Sequence, residues 1–161
     1  MTEPQTDRPN MPEYGIAGPD EGDGLLSWSW ARDRLTDAHD YWVATVSRDG
    51  APHAVPVWGL WRDDCFFFGT GGKSRKARNL LANARCVVHT ENGPDPVVVE
   101  GSAARVTDET ELRPLLDAFE AKYSEPVPDP DNNPVFRVRP GRAFGWTKAF
   151  PDSATRWSFD A

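Results

Sequence analysis

Cysteine is scarce in this chain: Cys65 and Cys86 are the only two, and neither has CxxC or Cys/His metal-ligand spacing. That argues against a disulfide framework and a zinc site, and predicts two buried free thiols. Long apolar runs are missing. Nothing approaches the roughly 18 to 20 residues of a helical membrane span, and the acidic start lacks the basic and apolar regions of a signal peptide. A cytoplasmic protein with no membrane partner is predicted. Positive charge is in deficit, with 18 Lys and Arg against 25 Asp and Glu and a net charge of −7. Nucleic acid, held by neutralising many phosphates, is a poor partner for such a chain. His39, His53 and His89 are too scattered to argue a metal site.

The acidity is uneven. Residues 1–24 carry Glu3, Asp7, Glu13, Asp20, Glu21 and Asp23 against Arg8 alone, and are crowded with Pro and Gly. So few large apolar groups cannot offset ordering entropy, so this segment is predicted to be a tail, draped on the surface at most. Residues 25–161 are long enough for one domain with a core and too short for two.

Between Ser27 and His39 the residues Trp28, Ala31, Leu35 and Ala38 recur near helical spacing. Tyr41–Ser47, Ala51–Trp61 and Cys65–Thr70 read as strands, separated by the turns Arg48-Asp49-Gly50 and Asp63-Asp64, and tight turns make them an antiparallel meander. A helix follows over Lys73–Asn83, burying Ala77, Leu80 and Leu81, then strands at Arg85–Thr90 and Pro96–Val106. Asp108 and Glu111 read as a capping box for a helix whose stripe is Leu112, Leu115, Leu116, Phe119 and Tyr123, with Pro114 set to shift or kink it. Residues 124–134 hold Pro126, Pro128, Pro130 and Pro134 and read as a loop, before short strands at Val135–Val138 and Ala143–Trp146. The fold class predicted is mostly β with inserted helices, a barrel or curled sheet of about six or seven mainly antiparallel strands.

Acids are absent altogether between Asp64 and Glu91, where Lys73, Arg75, Lys76, Arg78 and Arg85 all fall. The centre of that window, Gly69-Thr70-Gly71-Gly72-Lys73-Ser74-Arg75-Lys76, leaves a strand and opens a helix. Free N–H groups at a helix start, reinforced by Lys and Arg, make a seat for an anion. The plainer reading is a solvated charged face, but such faces usually mix both signs. Gly72-Lys73-Ser74 also matches the end of a nucleotide-binding P-loop, whose first glycine would be residue 67; that position is Phe67.

The strand before it contains Pro52 and Pro56, each lacking a ladder donor, so it belongs at an edge or beside something other than a strand. A flat ligand against its backbone satisfies that. His53, Val55, Val57, Gly59 and Trp61 share one face, and Ala54, Pro56, Trp58 and Leu60 the other.

Tyr41-Trp42-Val43-Ala44-Thr45-Val46 with Asp49-Gly50, Pro52-His53-Ala54-Val55-Pro56-Val57-Trp58, Ser74-Arg75-Lys76-Ala77-Arg78-Asn79-Leu80 and Val97-Val98-Val99-Glu100-Gly101 occur in that order. In order and spacing they resemble the pyridoxamine 5′-phosphate oxidase-like superfamily, flavin and deazaflavin oxidoreductases built on the FMN-binding split barrel. The resemblance spans about Trp28–Thr107, with a weaker echo over Arg137–Phe159. It implies a homodimer with the cofactor between subunits. Val55, Pro56, Val57 and Trp58 would line the ring, and Thr70, Ser74, Arg75 and Lys76, with Arg78 one turn on, would hold the phosphate.

The end Ala154–Phe159 lacks the Arg-Leu-x-Pro terminus of pyridoxamine phosphate oxidase itself, so vitamin B6 oxidation is not implied. The chain looks more like the short branch that uses coenzyme F420, with FMN as the alternative, and five cations lean toward the longer anion of F420. The activity implied is hydride transfer between that cofactor and a small unsaturated or aromatic substrate. The cofactor carries the redox chemistry, so no protein nucleophile is required, and the catalytic residues stay unknown. His53 and Tyr41 are candidate proton sources, although a lone strand histidine is more often structural. Trp58 and Trp146 are the tryptophans placed nearest a planar ligand. The alternatives are a non-catalytic F420 or FMN carrier, a haem binder with one axial histidine, and a plain structural barrel.

Overall fold

Backbone pairing and one arginine, rather than apolar burial, order the start of the chain. The computed structural model describes residues 3–19, 21 and 23–160. The order of elements is β1 (Gln5–Asp7), α1 (Trp28–Asp37), β2 (Asp40–Val46), β3 (Pro52–Trp58), β4 (Leu60–Arg62), β5 (Cys65–Gly69), α2 (Arg75–Ala82), β6 (Arg85–Thr90), β7 (Val97–Arg105), α3 (Glu109–Tyr123), β8 (Val135–Gly145) and β9 (Thr155–Ser158). Antiparallel pairing links nine strands into one sheet, along the path β1-β9-β8-β7-β6-β2-β3, with β4 on β5 and β5 on β8. This is the open, curled sheet of a split barrel, with more strands than the turn signals showed.

Described residues within the segment predicted as a tail make ordered contacts with the sheet. β1 adds an edge strand to β9, and Asp7 takes a bidentate ion pair from Arg156 at 2.8 and 2.6 Å. Arg8 is 3% exposed and donates to the carbonyls of Glu21, Asp23, Asp152 and Ala154. Composition could not show this, because the ordering comes from polar contacts to the far end of the chain. Met1, Thr2, Asp20 and Gly22 lie outside the described residues.

The second predicted strand breaks at Gly59. A Cβ there would sit 2.2 Å from the Phe66 ring, so only glycine admits the close approach. β3 therefore pairs with β2, and β4 turns to pair with β5, which replaces the predicted meander. The two short strands predicted near the C-terminus are one, β8, which runs through Pro140 and Gly141 opposite a register shift at Glu100 and Gly101. Here too a glycine is required: a Cβ on Gly101 would lie 2.4 Å from the Arg139 carbonyl.

The core inside the curl includes Trp28, Leu35, Tyr41, Phe66, Phe68, Val88, Val99, Val138 and Trp157. Each such side chain contributes about 1.5–3 kcal/mol by burial. Cys86 is buried and its thiol is pushed up to about 12 by desolvation, while Cys65 is partly exposed, and both are free. A second cluster, Leu60, Phe67, Val106, Leu115 and Val135, seats α3 against the barrel. Asp108 caps that helix through the Thr110 N–H at 2.8 Å. The capping box is incomplete, because the Glu111 carboxylate accepts from Arg137 at 2.7 Å instead and ties α3 to β8. Among the described residues no helix is long and apolar enough to cross a membrane.

Candidate functional site

The glycine-rich loop and the start of α2 are held from three sides. The Thr70 N–H donates to the Pro134 carbonyl at 3.2 Å and the Gly72 N–H to the Asn132 carbonyl at 2.9 Å, so residues 132–134 fix the loop's path. The Ser74 hydroxyl caps α2 by accepting from the Ala77 N–H at 3.2 Å and lies 3.1 Å from the buried Thr70 hydroxyl. The amides of Arg75 and Lys76 precede the helical ladder and stand open as donors. Gly69 and Gly71 have nothing within 4 Å of where a Cβ would be, so the loop backbone is bare on its open side.

Arg75 acts at a distance on Asp49, helping to hold its carboxyl below the usual range, but forms no ion pair with it. Among the described residues none of Lys73, Arg75, Lys76, Arg78 and Arg85 pairs with a carboxylate. Lys76 is half-buried, and desolvation lowers its pKa below the usual lysine value. An anion placed there would relieve that penalty. Arg78 lies farther along, in a shallow hollow with Arg48 and Leu81. The stripe predicted for this helix is corrected at one position. Leu81 is 72% exposed, and its place toward the sheet is taken by Asn79, whose amide donates to Thr45 at 2.9 Å.

β3 lies at the end of the ladder path, which explains how Pro52 and Pro56 are tolerated. Its exposure alternates along the strand. Val57 is buried in the core and Val55 is half-buried on the same face, while Pro52, Ala54, Pro56 and Trp58 are exposed on the other. The four residues assigned to a ring therefore do not share a face, and a ligand on the outer side meets Pro56 and Trp58.

Trp58 and Thr70 meet in one cavity of about 400 Å³, whose walls also include Gly69, Phe119, Tyr123, Glu125, Val127 and Asn133. Trp58 stacks on Tyr123 at 4.5 Å between ring centroids and 5° between planes. The Tyr123 hydroxyl is fixed by the backbone of Gly59 and His39, each at 2.8 Å. This wall, made by the end of α3 and the proline-rich loop, is what sequence reasoning missed. Phe119 and Tyr123 read as core, and residues 124–134 read as a plain connection.

Tyr41 is no proton source: it is fully buried, donates to the Leu35 carbonyl at 2.5 Å, and burial drives its pKa further up. Lys122 is tied to the Tyr41 hydroxyl and to the carbonyls of Ala38 and Gly59, and burial lowers its pKa. His53 is half-buried on β3 opposite Thr45. Trp146 packs edge-on against Phe150, away from the cavity of Trp58. No group of three or more His, Cys, Asp or Glu among the described residues could hold a metal ion.

These features define a split barrel with a glycine loop and unpaired cations at a helix start and an aromatic cavity nearby. The pyridoxamine 5′-phosphate oxidase family pattern matches residues 31–147, and the chain belongs to that family. No curated protein matches it. Among solved structures, a conserved hypothetical protein from Mycobacterium tuberculosis is 23% identical, with a TM-score of 0.69 over 80% of this chain and 89% of that one. An F420 reductase is 25% identical, with a TM-score of 0.56 over 69% of this chain and 94% of its own. The haem storage protein HutZ of Vibrio cholerae is 17% identical, with a TM-score of 0.58 over 70% and 87%.

Proposed function

We propose that this chain binds a phosphate-bearing flavin-type cofactor, F420 or alternatively FMN, and works as an oxidoreductase on a small unsaturated or aromatic substrate. The observation that carries the reading is the cluster of cations without ion pairs at the start of α2, with Lys76 half-buried among them, next to bare glycine backbone. That donor set suits a phosphate: open amides, the hydroxyls of Thr70 and Ser74, and the charges of Arg75 and Lys76, with Arg78 farther out. The F420 reductase among the similar folds favours the deazaflavin over FMN. When bound, the cofactor would supply hydride transfer, and the protein would supply binding, orientation and shielding from water. The outer face of β3 and the edge of the sheet would receive its ring.

The active form would be a cytoplasmic homodimer. Trp42, Val46, Ala54, Pro56 and Trp58 leave an apolar patch on one side of the sheet, of the kind that a second subunit covers. A non-catalytic carrier of F420, FMN or haem would use the same cavity, and the haem storage protein of this fold keeps that reading in view.

The test is titration of purified protein with F420, FMN and haem, followed by absorption, and repeated on the doubly substituted Arg75→Glu, Lys76→Glu chain. Saturable binding of F420 or FMN that is lost in the variant is expected. Unchanged titrations, or binding of haem alone, would overturn the reading. Turnover of an electron acceptor by the loaded protein separates enzyme from carrier.

A further inference from the structure

The cavity between Trp58 and Thr70 carries one charged residue in its lining among the described residues, Glu125. Its Gly69–Thr70 wall is uncharged, since the five cations of the acid-free stretch 65–90 lie outside the lining. Its other wall belongs to residues 124–134, which carry Glu125, Asp129 and Asp131 and no Lys or Arg. The two meet through the Gly72–Asn132 and Thr70–Pro134 backbone hydrogen bonds, so their relative position is fixed. The Asp129 carboxylate is occupied with the Asp131 N–H and the Asn132 amide, whereas Glu125 lines the cavity and makes no ion pair among the described residues. Lys122, the nearby cation, is held by its three oxygen acceptors at 2.7–3.0 Å.

The rest of the lining is apolar: Trp58, Phe119, Tyr123, Pro126, Val127 and Val135. Trp58 is 45% exposed, with Tyr123 stacked on one face, the His39 ring edge-on at 6.0 Å and no second stacked ring among the described residues. A flat molecule lying on the free face of Trp58 would continue that stack, and a positive charge on it would gain from the indole quadrupole and from Glu125. The volume of about 400 Å³ suits a ligand of two fused rings.

We propose that this cavity takes a flat aromatic molecule bearing a cationic amine as the partner of the bound anion, and disfavours carboxylated aromatics. Its place as the second molecule of a reaction rests on the cofactor reading above; its charge preference does not.

Naphthylmethylamine, naphthylmethanol and naphthoate, matched in shape and differing in charge, are titrated calorimetrically into the cofactor-free protein at low salt. The amine is expected to bind about fivefold more tightly than the carboxylate, with the alcohol between, the size of effect that one solvent-exposed charge exerts. Glu125→Gln, at an exposed position where folding is not at risk, should abolish the amine's advantage and leave the alcohol unchanged. Trp58→Ala should weaken all three. Equal binding of the three probes, a preference for naphthoate, no saturable binding, or an amine preference that survives Glu125→Gln would overturn the proposal. FMN and F420 titrated separately report on the anion seat, so its failure with the probe order intact sinks only the cofactor reading. Competition between FMN and naphthylmethylamine, rather than joint binding, would overturn the placement of two molecules side by side.

Discussion

Asn79 donates its side-chain amide to the hydroxyl of Thr45 at 2.9 Å, and both residues are buried between α2 and β2. This polar pair fixes the helix whose start carries Thr70, Ser74, Arg75 and Lys76. Removing one partner leaves the other desolvated and unmatched, which costs about 1–3 kcal/mol. Asn79→Ala and Thr45→Val should each destabilise the chain by that amount in urea denaturation. The double variant should lose less than their sum, because the pair is lost only once. Strict additivity would show that the hydrogen bond does not couple helix to sheet.

The second prediction concerns Lys76, whose pKa is lowered by desolvation. A base with a depressed folded-state pKa destabilises the fold while it is charged, and stability recovers as pH rises from that lowered value toward the unfolded one. Lys76→Gln should therefore raise the melting temperature of cofactor-free protein at neutral pH and flatten its alkaline rise. Lys122, lowered for the same reason, keeps part of that rise. Affinity for FMN or F420 should fall in wild type as pH climbs through the lowered Lys76 value, while Lys76→Arg, still charged, should hold its affinity. Parallel pH profiles for wild type and Lys76→Arg would refute this.

Turn chemistry and patterning made much of the fold readable, and steric accidents hid the rest. Arg48-Asp49-Gly50 marked the hairpin between β2 and β3, and Gly50 does adopt a positive φ of 85°. The break at Gly59 was invisible, since it depends on Phe66, a residue no local pattern pairs with it. The unpaired cation cluster at the start of α2 could be read because charge distribution and a glycine loop before a helix are one-dimensional signals. The opposing wall could not, because helical periodicity does not say whether Tyr123 covers core or cavity. The acid-only stretch 124–134 was a usable clue, the mirror of the acid-free window.

The apolar outer face of β2 and β3 predicts an oligomer. Val46 and Ala54 project outward toward the turn end of the β2–β3 hairpin, on the same face as Trp58 at its other end, and two carboxylates there would have to be desolvated in any subunit contact. Val46→Glu combined with Ala54→Glu should convert a dimer to monomer in sedimentation equilibrium, with an unchanged circular dichroism spectrum. A wild-type chain that is monomeric at micromolar concentration would refute the homodimer outright.

Arg8 predicts a local rather than a global failure. Its guanidinium bridges the carbonyls of Glu21 and Asp23 to those of Asp152 and Ala154, binding the start of the chain to the approach to β9. Hydrogen bonds from a charged donor are worth about 1.5–3 kcal/mol, so Arg8→Met should remove most of what holds this segment. Among the described strands β1 pairs with β9 alone, and the main apolar core does not include it, so the segment can open while the barrel stays folded. Hydrogen exchange in Arg8→Met should therefore accelerate at Gln5–Asp7 and at their partners Arg156–Ser158, with β2, β6 and β7 unchanged. Asp7→Asn, which weakens the ion pair to Arg156, should produce a smaller version of the same pattern. Uniform acceleration across every strand would instead make the N-terminal segment part of the cooperative core.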